Sequence, residues 1–325
     1  MRRLASMDVG TNSTRLLVAD VDGGRIVAEV DRDMVITRLG KGVDRTRRLD
    51  PAALARTLEV IADYAERCRK AGAEAVRVAA TSATRDAVNT DEFLDGVRRL
   101  VGVEPEVLSG SEEAATAFLG ATWDLDRDLP GDMVGGDGLV LVFDIGGGST
   151  ELILGHLDAS ADQAPRAVSV DVGSVRLTER HVGHDPPTAD EIAAVKADAT
   201  GELAAAAGQV AWTGPDGVGA VVGVAGTVTT VTAISLGLTA YDPSRVHRTT
   251  LTIDQVRATT ARLCSMTVAE KAAIPVMPPG REDVIAAGAL ILESVYEVLG
   301  LDAVVVSETD ILHGILLGLA RRPGG

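Results

Sequence analysis

Two stretches of this sequence carry the same polar residues at the same offsets. Residues 8–18 read DVGTNSTRLLV and residues 144–154 read DIGGGSTELIL. Asp8 matches Asp144, Gly10 matches Gly146, Ser13 matches Ser149, Thr14 matches Thr150 and Leu16 matches Leu152. Each copy puts a carboxylate at a strand end, then a turn of small residues, then an apolar strand. Glycines in such a turn adopt conformations closed to other residues and let an anion approach the N–H groups. The pattern is that of a phosphate-gripping hairpin, and Asp144 is placed to hold Mg²⁺ directly or through water. A second phosphate loop accounts for Asp8 in the same way. The candidate phosphate contacts are Gly10, Thr11, Asn12, Ser13 and Thr14 in one copy, and Gly146, Gly147, Gly148 and Ser149 in the other. Two copies suggest two related lobes with a polyphosphorylated ligand between them.

Further motifs end other strands. Ala80-Thr-Ser-Ala-Thr-Arg85-Asp86 places small hydroxyl residues and an arginine after an apolar strand. Arg85 can grip an oxyanion with its planar fork, or cap and pair locally with Asp86. Ser109-Gly-Ser-Glu112-Glu113 opens a helix. The two acids fit the positive end of its dipole, or one of them orients and deprotonates water. Consecutive helix residues point about 100° apart, so both can hardly serve one site. Gly223–Thr230, with Gly226 and Thr227, ends another buried strand and suits a nucleotide or a further phosphate, or is a tight turn. Arg15 stands where the second copy has Glu151; it points into the cleft or into solvent. Arg281 precedes a long apolar helix for which Asp283 is a candidate cap. His181 and His184 lie three apart without a zinc ligand set and read as surface residues; His247 and His313 are isolated. No Walker-type lysine motif and no Gly-x-Ser-x-Gly elbow occurs.

The elements that must carry these groups alternate. Strands are expected over 4–9, 15–21, 25 to about 32, 75–80, 106–108, 139–143, 218–224 and 304–306. Helices are expected from Asp50-Pro51 to about Lys70 and over 90–101, 112–121, 189–208, 283–299 and 310–319. Residues 123–138, rich in Asp, Pro and Gly, read as the link between lobes. This is an α/β protein of two duplicated lobes, 1–124 and 125–325, whose last helix at about 310–320 is able to pack back on the first lobe. The interlobe cleft, outside the carboxyl ends of the strands, is the default site.

The 325 residues bear 31 Lys and Arg against 47 Asp and Glu, a formal charge of −16. That argues against nucleic acid as partner. Aromatics are only 2% of the chain, which disfavours stacking on bases. A polyanionic ligand therefore needs local arginines, N–H groups and a divalent cation to overcome the global repulsion. Two distant cysteines, Cys68 and Cys264, fit a reduced, cytoplasmic setting. No signal segment or membrane-spanning run is apparent.

The set Asp8-x-Gly-Thr-Asn-Ser, Ala80-Thr-Ser-Ala-Thr-Arg85, Ser109-Gly-x-Glu-Glu113-Ala, Asp144-Ile-Gly-Gly-Gly-Ser-Thr-Glu151 and Gly223-x-Ala-Gly-Thr227 resembles the exopolyphosphatase/guanosine pentaphosphate phosphatase family. The likeness runs in order from Met1 to about Leu319 and looks like the family's short form, without additional helical C-terminal domains. The resemblance implies two ribonuclease-H-like (actin-like ATPase) lobes. It places the catalytic glutamate at Glu113 and the Mg²⁺ and catalytic acids at Asp144 and Glu151, with Asp8 as a further metal candidate. Loops 10–14 and 146–149, with Arg85, become the phosphate contacts. It also makes a homodimer plausible.

The reaction then expected is removal of terminal orthophosphate from inorganic polyphosphate by direct attack of water, with Mg²⁺ or another divalent cation. The runner-up is conversion of pppGpp to ppGpp. A sugar or acetate kinase of the same superfamily would also carry twin phosphate loops, but would leave Glu113 without a task. A non-catalytic polyphosphate or nucleotide sensor would bind without turnover.

Overall fold

The computed structural model describes residues 1–125, 138–157 and 165–322. Of the expected link 123–138, residues 126–137 lie outside that description. The chain divides into two compact units, Met1–Trp123 with Asp310–Gly325, and Asp124–Thr309. The last helix, Ile311–Arg321, therefore sits with the first unit although it follows the second in sequence.

The first unit is built on a five-stranded sheet of β1 (Arg2–Val9), β2 (Ser13–Asp22), β3 (Arg25–Ile36), β4 (Ala75–Ala80) and β5 (Glu106–Val107), in the order β3-β2-β1-β4-β5. β1, β2 and β3 form an antiparallel meander, and β4 and β5 add on parallel to β1. β3 runs four residues beyond the expected Arg32, because it pairs with β2 as far as Ser13↔Ile36.

Strand alternation divides the sheet into two covered faces. Ala5, Met7, Val9, Leu16 and Val18 pack with Ile61, Tyr64, Phe93 and Val97 of the helices Pro51–Ala71 and Thr90–Val101. Leu4, Leu17 and Ala19 face the other way, onto Leu312, Leu316 and Leu317 of the last helix. Asp8 and Arg15 share this second face by the same alternation. The helix Pro51–Ala71 starts where expected: Asp50 accepts from the N–H groups of Ala52 and Ala53, and Pro51 opens the first turn.

The second unit repeats the plan. β6 (Leu139–Ile145), β7 (Thr150–His156), β8 (Arg166–Val170), β9 (Ala220–Val224), β10 (Thr250–Thr252) and β11 (Ala303–Val306) lie in the order β10-β11-β9-β6-β7-β8. β6, β7 and β8 form the meander, and β9 and β11 run parallel to β6. Strand for strand, β8-β7-β6-β9-β11 reproduces β3-β2-β1-β4-β5; β10 is the addition. Leu141, Phe143, Ile145, Leu152 and Leu154 pack against the helices Ala189–Gln209 and Ile285–Leu299. Asp144 and Glu151 belong to the opposite face. The long apolar helix starts two residues later than expected, with Val284 rather than Asp283 at its cap. Strand β8 and the helices Ser174–His181 and Ile253–Ser265 are absent from the expected elements, although Thr252-x-x-Gln255 is a capping-box start for the last of them.

Candidate active site

The duplication extends to single hydrogen bonds. In the first unit the Gly10 N–H donates to Ser13 O at 2.9 Å; in the second the Gly146 N–H donates to Ser149 O at 3.0 Å. The carbonyls of both loops are tied back. Thr11 O accepts from Gly40 N at 2.8 Å, and Asn12 O accepts from the N–H groups of Thr37 and Arg38. Gly146 O accepts from Ser174 N, Gly147 O from Val175 N and Arg176 N, and Gly148 O from Arg176 Nε at 2.7 Å. The N–H groups of Thr11, Asn12, Gly147, Gly148 and Ser149 donate to no protein acceptor among the described residues. Carbonyls bound and N–H groups left over make an anion cradle.

Two glycines that the sequence reading passed over make this possible. A Cβ on Gly40 would sit 2.3 Å from Thr11 Cγ2, and one on Gly173 would sit 2.4 Å from Gly147 O. The strap behind each loop passes too close for any side chain. Their only sequence signal is a glycine between hairpin and next helix, which many turns share. Arg176, 6% exposed and fixed on Gly148 O, was likewise not foreseen.

Side chains within the loops divide by task. Asn12 Oδ1 is buried without a hydrogen-bond partner among the described residues. The Thr11 hydroxyl is 2.7 Å from that of Ser82, joining loop 10–14 to the motif that follows β4. Thr14, expected as a phosphate contact, points into the sheet. It is fully buried and its hydroxyl is bonded to Thr37 at 2.9 Å, as its counterpart Thr150 is bonded to Val172 O at 2.6 Å. Alternation puts these hydroxyls in the packing rather than at the loop.

Cross-strand partners differ between the copies. Asp8 stands directly opposite Arg15, and Asp144 directly opposite Glu151. Arg15 Nε and Nη2 both bond Asp8 Oδ2, at 2.9 and 2.7 Å, and Nη1 pairs with Asp310, the N-cap of the last helix. Arg15 is thus neither solvated nor free; the sequence offered no sign that residue 310 would meet it. Burial works against the Arg15 charge, but Asp310 and Asp8 outweigh it and hold the guanidinium protonated. Burial raises the Asp8 carboxyl despite Arg15, and Asp8 Oδ1 has no hydrogen-bond partner among the described residues. His313, read as isolated, is fully buried between Asp310 N and Glu29 Oε1.

In the second unit two acids face each other where the first has an ion pair. Both are buried, and Glu151 Oε1 accepts from Ser169 Oγ at 2.6 Å. Two carboxylates on neighbouring strands, just ahead of an anion cradle, suit Mg²⁺, a hard cation that keeps waters and draws other ligands from substrate phosphates. Among the described residues no group of three or more His, Cys, Asp or Glu encloses a metal ion by itself.

The helix Gly110–Thr122 sorts the two glutamates. Glu112 is exposed and closes a capping box with Ser109; Glu113 turns inward and is 8% exposed. Glu113 Oε2 accepts from Arg85 Nη1 at 2.9 Å, and that nitrogen also donates to Leu108 O at 2.7 Å. Arg85 Nε and Nη2 have no protein partner among the described residues. Burial pushes the Glu113 carboxyl up to about 7; Arg85 opposes the rise, Asp8 adds to it, and a hydrogen bond from Thr81 again opposes it.

The motif 223–230 is the counterpart of 80–86, since β9 flanks β6 as β4 flanks β1. Gly226 is explained by Arg281: a Cβ there would meet the guanidinium at 2.4 Å, and Arg281 Nη1 donates to Gly226 O and to Thr230 Oγ1. Thr227 is buried and packs on Gly288. His181 and His184 bond Asp198 and Glu191, as surface residues do.

A meander with two parallel strands beside it, present twice, defines an α/β protein of two ribonuclease-H-like lobes, each with a loop whose N–H groups are left over. The Ppx/GppA phosphatase family model matches residues 17–322. Exopolyphosphatase 2 of Mycobacterium tuberculosis is 40% identical, covering 98% of this chain and 99% of its own. A crystal structure of an exopolyphosphatase-like protein superposes with a TM-score of 0.88 at 38% identity, covering 98% of this chain and 99% of that one. A guanosine-5'-triphosphate,3'-diphosphate pyrophosphatase of Vibrio atlanticus is 35% identical over 54% of this chain and 33% of its own. The chain belongs to the Ppx/GppA phosphatase family.

Proposed function

We propose that the protein is an exopolyphosphatase, releasing terminal orthophosphate from inorganic polyphosphate by attack of water. Glu113 carries this reading: a buried carboxyl whose proton affinity sits near neutrality, held on Arg85. Glu113 orients the water and takes its proton as the oxygen bonds to the outermost phosphorus. The bond from that phosphorus to its bridging oxygen breaks, and the shortened chain leaves with the electron pair. Phosphoryl transfer depends mainly on alignment and charge neutralisation, so no covalent intermediate is required. Loops 10–14 and 146–149 supply N–H groups to phosphate oxygens, and the uncommitted edge of Arg85 supplies a cation. Asp144 and Glu151, with Asp8 as a further candidate, would hold Mg²⁺, and the ion would supply positive charge to neutralise the phosphate oxygens.

Inorganic polyphosphate is favoured over pppGpp because few aromatic side chains are open to stack on a base; Tyr241 is exposed, with its hydroxyl bonded to Glu308. Tyr64, Tyr296, Phe93, Phe118 and Phe143 are all buried. The likeness to the Vibrio pyrophosphatase keeps pppGpp as the second substrate to be tested. The unpaired cysteines, one in each unit, suit a cytoplasmic enzyme. Among the described residues no helix is long and apolar enough to cross a membrane.

Phosphate release from long polyphosphate, tripolyphosphate, pppGpp and ATP, each with and without Mg²⁺, tests the proposal. The expected result is Mg²⁺-dependent release, fastest from long polyphosphate and needing no acceptor. Binding without release would make the protein a sensor, and release only onto an acceptor hydroxyl would make it a kinase.

A further inference from the structure

Residues 38–48 read RLGKGVDRTRR, five cations (Arg38, Lys41, Arg45, Arg47, Arg48) to one anion (Asp44), in a chain whose overall balance is −16. Such a run is ordinarily a solvated surface, but its placement here is specific. Its backbone is bonded on one side to loop 10–14, through Arg38 N to Asn12 O and Gly40 N to Thr11 O. On the other side Arg47 O accepts from Val88 N at 2.9 Å, and Leu49 N donates to Asn89 Oδ1 at 2.8 Å, just past Arg85. Gly40 also touches Ala83: a Cβ there would lie 3.0 Å from the Ala83 Cβ. The segment is therefore a fixed strap joining the two phosphate elements of the first unit. Arg38 and Arg47, both at φ 54, are held in the left-handed region that side chains rarely adopt, so the strap's shape is imposed.

Lys41, Arg45 and Arg47 are exposed, and none has an ion-pair or side-chain hydrogen-bond partner among the described residues. Some exposed cations elsewhere are taken up by carboxylates, as Lys70 is by Glu66 and Arg98 by Asp95 and Glu104. Others, such as Arg69 and Arg99, stand singly, and the strap differs in carrying three within seven residues, bonded to loop 10–14. Three uncompensated cations beside an anion loop create a local positive field in a molecule that otherwise repels polyanions.

We propose that Lys41, Arg45 and Arg47 form a subsite for the non-terminal phosphates of an extended polyanion. The subsite makes the enzyme select chain length. It rests on the exopolyphosphatase reading for its substrate, not for its geometry. A terminal phosphate needs the loops and Arg85; only a substrate that continues past them meets the strap. Tripolyphosphate and pppGpp end too soon to gain the full benefit.

The test is the triple variant Lys41→Gln/Arg45→Gln/Arg47→Gln, with kcat and KM measured on long polyphosphate and on tripolyphosphate at several salt concentrations. A control variant, Arg69→Gln/Arg99→Gln/Arg262→Gln, removes three exposed cations elsewhere and changes net charge equally. The subsite predicts a KM for long polyphosphate raised tenfold or more at low salt, with a flattened salt dependence. The KM for tripolyphosphate then rises less than threefold, and the control moves neither. Equal effects on both substrates, equal effects of the control, or an unchanged KM for the long chain would each overturn the subsite. If the wild type releases no phosphate from any polyphosphate, the exopolyphosphatase reading fails. Fluorescence anisotropy with labelled long polyphosphate then decides the subsite alone: tenfold weaker binding by the triple variant supports it, and equal binding ends it.

Discussion

Arg85 Nη1 lies 2.9 Å from Glu113 Oε2, and it lowers a proton affinity that burial has raised. With its carboxyl near 7, Glu113 is protonated in mild acid and becomes a base as pH rises through neutrality. The acid limb of kcat/KM should therefore have an apparent midpoint near 7. Arg85→Gln removes the cation that favours the ionised form, so the limb must move to higher pH. A limb that moves down, or stays while KM alone rises, would detach Glu113 from the proton transfer.

Glu113→Gln keeps the shape of the side chain and an oxygen for Arg85, but cannot take a proton from water. General-base removal costs roughly 10²–10⁴-fold in rate. A loss of that size in kcat is expected, with binding of long polyphosphate retained when measured directly by calorimetry. Glu112→Gln, on the exposed side of the same helix, serves as the paired control; it alters only the capping box and should leave kcat within about threefold.

The contrast between these two glutamates shows what was legible in the sequence. A helix start at Ser109 and the inability of neighbouring residues to share one direction follow from local chemistry. Which acid faces inward depends on packing, and the residues alone left it open; the resemblance pointed to Glu113. Both hairpins, their aspartates and most strands were readable because alternation and glycine chemistry act within ten residues. The Arg15–Asp310 pair was not, since 295 positions separate the two and an N-cap aspartate is ordinary. The burial of the Thr14 hydroxyl was not legible for a related reason: a loop motif read as a unit hides the strand alternation that turns its last hydroxyl into the packing.

Arg15 lies between two buried carboxylates, Asp8 and Asp310. Arg15→Met strips Asp8 of its paired cation and leaves Asp310 with the weaker effect of Arg32, and breaking a buried pair in this way costs about 3–5 kcal/mol. The two acids would then have raised proton affinities in the folded state. Across the window above the unfolded carboxylate value, the folded variant binds more protons than the unfolded chain, so its stability falls as pH rises. Urea unfolding at pH 5 and pH 8 should show the larger deficit at pH 8. An equal deficit at both values would mean the loss is one of packing alone.

Two glycines separate close approach from idle flexibility. Gly120, on the helix that carries Glu113, crosses the last helix so tightly that a Cβ would lie 1.7 Å from Asp310 O and 2.7 Å from Gly314 N. The obstacles are backbone atoms, which cannot swing aside. Gly120→Ala must therefore push apart the helices that hold Glu113 and Asp310, at a cost of about 3 kcal/mol or more. Its kcat should fall as well, because the carboxyl moves with its helix. Gly201 lies exposed within the helix Ala189–Gln209 with nothing within 4 Å of a Cβ, so Gly201→Ala should gain up to about 1 kcal/mol from helix propensity. Thermal unfolding of the two variants should bracket the wild type, with kcat reduced only in Gly120→Ala. If Gly120→Ala proved as stable and as active as the wild type, the two helices would not be in backbone contact and the last helix would have no part in fixing Glu113.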